Sequence, residues 1–76
     1  MQILPNSIYE HYKGQQYRVI AVATYSEDIN QQFVIYEALY CNKVSQIWAR
    51  PLAMFLEDIE IDGKVIPRFR HIERLI

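Results

Sequence analysis

Cysteine is all but missing from this 76-residue chain: Cys41 stands alone, so no internal disulfide can staple the fold, which has to stand on packing, alone or with a second subunit. Such a composition fits a reducing cytoplasm. Glycine is nearly as scarce, present only at Gly14 and Gly63, and proline is confined to Pro5, Pro51 and Pro67. The chain is therefore far from the composition of a disordered segment. No apolar run approaches the roughly 20 residues that cross a bilayer, and the stretch from Met1 to Pro5 has neither the basic start nor the long hydrophobic segment of a secretory leader. The expectation is a soluble protein without a targeting segment and without a membrane partner. Charge of one sign is lacking too: eight Lys and Arg against nine Asp and Glu leave a net charge of -1. A general electrostatic grip on nucleic acid needs a concentrated basic face, so this balance argues against a nucleic-acid partner.

What is present is apolar and aromatic. Hydrophobic residues make up 51% of the chain, and six tyrosines, three phenylalanines and one tryptophan are among them. That richness matters, because a chain of this length buries only about 60% of its unfolded surface and is marginal without a dense core. The length allows one domain, residues 1–76. Ser7 to Tyr12 is β-prone and ends in a polar stretch, Lys13 to Gln16, where Gly14 supplies a turn. Tyr17 to Tyr25 carries β-branched and aromatic residues in both parities, as a central strand does when curvature buries most of it. Ser26 to Gln31 reads as a polar loop by composition, with no glycine or proline to set a turn. Gln32 to Tyr40 is a third strand, with Phe33, Ile35 and Leu39 on one face and Val34, Tyr36, Ala38 and Tyr40 on the other. Both faces call for cover. After a turn over Cys41 to Ser45, the fourth strand, Gln46 to Arg50, sets Ile47 and Ala49 opposite Trp48 and Arg50.

Two local signals decide the fold class. Pro51 suits the start of a helical turn, and Leu52 to Phe55 favours helix, so a single turn near residues 51–54 is expected. A long helix through Val44, Ile47, Trp48, Leu52, Phe55, Leu56 and Ile59 would place Pro51 in its interior at a cost of about 3 kcal/mol, and is rejected. Asp62-Gly63 is the dipeptide of a two-residue hairpin turn, which pairs Ile61 with Lys64, Ile59 with Ile66 and Glu57 with Arg68. The acidic cluster at Glu57, Asp58, Glu60 and Asp62 and the basic cluster at Lys64, Arg68, Arg70 and Arg74 are thereby laid side by side, as cross-strand ion pairs rather than a docking patch. The last strands run from Phe55 to Ile61 and from Lys64 to about Phe69, and the tail from His71 to Ile76 is frayed or forms a short helix. The predicted fold is all-β: a small SH3-like barrel of five to six antiparallel strands with one helical turn.

Five segments carry a family resemblance: Tyr9 to Gly14, Tyr17 to Ala23, Val34 to Tyr40, Trp48 to Leu56, and Asp62 to Phe69. Together, over nearly the whole chain, they resemble the bacterial family catalogued as domain of unknown function 1653. The resemblance implies a small SH3-like barrel, stand-alone or appended, with no established activity. It also departs in places. Tyr25 stands where the family usually has a histidine before Ser-Glu, and Cys41 to Ser45 replaces a shorter acidic or glycine-bearing connection.

Catalysis finds little support. His11, His71, Cys41 and the carboxylates are the residue types of acids, bases and nucleophiles, but their spacing gives no convergence of roles, so no enzyme is expected. Nor do two histidines and one cysteine without short spacings make a metal site, and no cofactor motif is present. A binding module is the better reading. Tyr12, Tyr17, Tyr36, Tyr40 and Trp48 are amphipathic aromatics suited to a groove, with Arg50 and His11 as polar partners and Lys13 in a turn that could face a ligand. The bland alternative assigns the same aromatics to the core or its rim, and Arg50 to an ion pair with an acid such as Glu37. The expected partner is a protein or peptide, with weak binding of nucleic acid or a nucleotide as the alternative on fold-level analogy. Apolar residues on both faces of two strands also suggest self-association, as a homodimer.

Overall fold

Seven antiparallel strands and one helical turn account for most of the chain in a computed structural model that describes residues 3–75. The readings made at Met1, Gln2 and Ile76 lie outside the described residues. Strands β1 (Ser7–His11), β2 (Gln16–Tyr25), β3 (Asp28–Ala38), β4 (Ile47–Pro51) and β7 (Phe69–Arg74) form one sheet in the order β4-β3-β2-β1-β7. Between β4 and β7 come a single helical turn, α1 (Leu52–Phe55), and the hairpin β5 (Asp58–Ile61) and β6 (Lys64–Pro67), a sheet of its own. The molecule is a small all-β domain.

Both deciding signals hold. Pro51, with φ -50° and ψ 135°, is the extended residue that caps α1 rather than its first helical residue. Phe55, which the sequence assigns to the following strand, is instead the last residue of the turn and is buried in the core. At the hairpin, Asp62 and Gly63 both take positive φ, 52° and 78°, the mark of a type I′ turn, and Ile61 pairs with Lys64 and Ile59 with Ile66. Glu57 and Arg68 meet beyond the ladder in an ion pair of 2.9 Å.

Two segments differ from expectation. Asp28 to Gln31 is strand rather than loop, because β2 and β3 run on past their neighbours and turn only at Ser26-Glu27. The register jumps from Thr24 opposite Gln32 to Tyr25 opposite Asp28, which leaves Ile29 to Gln31 as a bulge. The tail is neither frayed nor helical: as β7 it pairs with β1, and the Leu75 N–H donates to the Asn6 carbonyl at 2.8 Å. Without it the outer edge of β1, whose Ser7, Ile8 and Tyr9 are buried, would hold unsatisfied backbone groups. This strand carries the strand number to seven.

The core gathers Ile3, Tyr9, Val19, Val34, Tyr36, Phe55 and Phe69. On β3 it is the Val34, Tyr36 and Ala38 face that is buried; the strand ends at Ala38, so Leu39, which is exposed, and Tyr40 lie beyond it rather than within it. A bulge at Ile20 explains the apolar residues of both parities on β2: Val19 lies opposite Tyr36 and Val22 opposite Val34, so one extra residue returns the strand to the same core face.

Candidate functional site

Alternation along β4 turns Trp48 and Arg50 to the core side of the sheet, opposite Tyr36 and Val34, and leaves Ile47 and Ala49 outside. Tyr17 on β2 reaches the same region, and its ring meets that of Tyr36 edge-on at 5.2 Å. Tyr17, Tyr36, Trp48 and Arg50, with Asn42 from the loop after β3, line a cavity of about 230 Å³. Tyr40 stands behind it. Its hydroxyl shares a 2.8 Å hydrogen bond with the Tyr17 hydroxyl and accepts one from Asn42 Nδ2 at 3.0 Å.

Arg50 decides the electrostatics of this cavity. The anticipated partner Glu37 belongs to the opposite face of β3 and is taken by Arg18, its direct cross-strand neighbour, at 2.6 Å. Arg68 pairs with Glu57, Arg70 with Glu10, and Arg74 donates to the Pro5 carbonyl. Arg50 alone among the arginines has neither a carboxylate nor a carbonyl partner among the described residues: its Nε donates to the Tyr36 hydroxyl at 3.3 Å. Its guanidinium lies over the ring of Phe69 at 5.3 Å, and Phe55 stacks on that ring at 4.2 Å with the planes 9° apart. The charge is thus held by a ring face while its terminal N–H groups remain open. Burial, and then the bond to Tyr40, push the Tyr17 hydroxyl well above its ordinary pKa of 10.0, so it stays neutral and sets no negative charge against Arg50.

His11 and Tyr12 lie elsewhere. With Glu10, Ile66, Pro67 and Arg70 they line a second cavity of about 260 Å³ between β1, β6 and β7. The His11 ring packs on Tyr12 at 4.4 Å and edge-on to Phe69 at 5.0 Å, and its Nδ1 accepts the Lys13 N–H at 3.2 Å. Partial burial, then the charges of Arg50, Lys13 and Arg68, hold its pKa below the ordinary 6.5. The Lys13 ammonium sits over the exposed Tyr12 ring at 5.8 Å. The candidate residues therefore divide: Tyr36, Trp48 and Arg50, backed by Tyr40, surround one cavity, and His11, Tyr12 and neighbouring Lys13 belong to the other. Cys41 is exposed, and no group of three or more His, Cys, Asp or Glu residues able to hold a metal occurs among the described residues.

The family described as "Protein of unknown function (DUF1653)" matches residues 7–71, a span that includes every residue lining either cavity. The chain belongs to this family. A crystal structure of a DUF1653 protein from Bordetella bronchiseptica is similar over 99% of this chain and 94% of that one, with a TM-score of 0.84 and 25% sequence identity. No curated protein matches. Coverage so nearly complete in both directions means that this DUF1653 chain and that protein share the whole architecture rather than a piece of it.

Five lining residues are not among the sequence-based candidates: Asn42 of the first cavity, and Glu10, Ile66, Pro67 and Arg70 of the second. Asn42 lies in an irregular loop whose path no periodicity sets. Phe69 lines neither cavity but touches Arg50 of one and His11 of the other, and it ends a β-prone run, where nothing in the sequence tells a core hub from a strand terminus. Among the described residues, no helix is long and apolar enough to cross a membrane.

Proposed function

We propose that this domain is a non-catalytic binding module that takes an anionic group of a protein or peptide partner in the aromatic cavity around Arg50. One observation carries the reading: a guanidinium without an anionic partner among the described residues stands in an aromatic cavity with its terminal donors open. Aromatic cavities of this kind attract cations when they hold no charge of their own, but Arg50 reverses the preference and favours a carboxylate, which its planar fork can bind through two parallel hydrogen bonds. The volume of about 230 Å³ lies below the range for drug-sized ligands, which suits a single side chain or chain terminus. Cys41 makes no hydrogen bond to either histidine among the described residues, which supports a binding role over acid-base or nucleophilic chemistry.

Chemical-shift mapping tests this. Acetylated peptides ending in a free carboxylate or bearing Glu should move the amides of Tyr36, Trp48 and Arg50, their Gln or amidated counterparts should not, and Arg50→Gln should abolish the effect. If no carboxylate moves those amides, the reading is wrong. A second reading, self-association, draws on Ile47, 56% exposed on the outer face of β4, and Leu39, 48% exposed just past the end of β3. Light scattering decides it, because a monomer at high micromolar concentration removes it.

A further inference from the structure

Phe69 stands between the two cavities. Arg50 of the first covers one face of its ring at 5.3 Å while Phe55 occupies the other, and the His11 ring of the second meets it at 5.0 Å. The guanidinium and the imidazole are thus no more than about 10 Å apart, a distance that an extended chain covers in two to three residues at roughly 3.3 Å each.

The openings differ in chemistry. The first offers a cation with no carboxylate partner among the described residues. In the second, Glu10 is matched by Arg70 at 2.9 Å, and Gln16 donates to its other oxygen at 3.5 Å, so the walls left to a ligand are the His11 imidazole and the faces of Tyr12, Ile66 and Pro67. Sheet addition along β4 is blunted: the Ser45 Oγ donates to the Ile47 carbonyl and accepts its N–H at 2.8 and 3.2 Å, and Pro51 has no N–H to give. A partner lying along β4 is then recognised through side chains entering the openings.

We propose that the two cavities form one bipartite groove for an extended segment of a protein partner, with a carboxylate side chain against Arg50 and, two or three residues away, an aliphatic side chain against Tyr12, Ile66 and Pro67. This rests on the reading of the Arg50 cavity given above. Charge complementarity favours an acidic segment, since Arg50 and Lys13, neither paired with a carboxylate among the described residues, both act on His11 in a chain whose net charge is -1.

The test is an NMR titration of the full chain with short acetylated, amidated peptides: Glu-Gly-Leu and Glu-Gly-Gly-Leu, their reversed orders, and controls in which Gln replaces Glu or Ser replaces Leu. At least one peptide bearing both groups should move the amides of Trp48 and Arg50 together with those of His11, Tyr12 and Ile66. It should bind at least fivefold more tightly than its Ser control, and Tyr12→Ser, at an exposed position, should erase that gain while leaving the Glu-dependent shifts. If Glu peptides move only the Trp48 and Arg50 amides and Leu adds nothing, the bipartite groove is overturned and the Arg50 cavity stands. If no peptide moves either set, both are overturned.

Discussion

Trp48 sets the first prediction at the scale of single residues. Its indole N–H is buried without an acceptor among the described residues, a desolvated donor worth about 1–3 kcal/mol against the folded state. Trp48→Phe removes that donor along with some packing, so urea unfolding should change by less than about 1 kcal/mol, whereas Phe69→Ala should cost about 3–5 kcal/mol. A loss of that size for Trp48→Phe would mean that the indole N–H is bonded after all. His11 gives a second prediction. Its folded pKa lies below the ordinary 6.5, so between the two values the unfolded chain holds a proton that the folded chain does not. Stability is therefore fullest above about pH 6.5 and declines as the pH falls through the folded pKa; His11→Gln should flatten that slope in midpoint-versus-pH measurements. Glu10 is displaced the same way by its bonds to Arg70 and Gln16, so its share is lost only below the carboxylate's ordinary 4.5. At Gly63, φ is +78° and no atom lies within 4 Å of the place a methyl group would take, so Gly63→Ala meets a backbone cost of about 1–2 kcal/mol and no clash.

Elements were legible in the sequence where a local rule fixed them. Asp62-Gly63 set the hairpin register, and Pro51 set the break between β4 and α1, because turn chemistry and a locked φ act on neighbours alone. Alternation placed Trp48 and Arg50 on one face for the same reason. What escaped was decided at long range. β7 is a strand because the buried segment Ser7 to Tyr9 needs a partner for its second edge, and no pattern within Phe69 to Arg74 announces that need. The far end of the β2–β3 hairpin is a ribbon rather than a loop because two chains can pair without glycine when a bulge at Ile29 to Gln31 absorbs the mismatch. That end has neither β1 nor β4 beside it, since β1 reaches β2 only to Arg18 and β4 reaches β3 only to Phe33. Amide exchange should therefore be fastest there and slowest at Val19 and Val34; protection at Ile29 equal to that of Val34 would contradict the pairing scheme.

At the scale of the whole molecule, one ring joins structure to the proposed role. Phe69 packs among Tyr17, Tyr36 and Phe55 in the core and also carries the Arg50 guanidinium, so the cation is held against the packed core. The net charge of -1 conceals this local arrangement, in which every other arginine is paired or bonded to a carbonyl. The most direct measurement watches the Arg50 side chain itself, through its Nε–H resonance, as acetyl-glutamate amide is added to the full chain. Saturable movement of that resonance, with those of Arg18, Arg68 and Arg70 unmoved, is the predicted result. An Arg50 signal that stays still, or that moves no more than the paired arginines, would contradict the account.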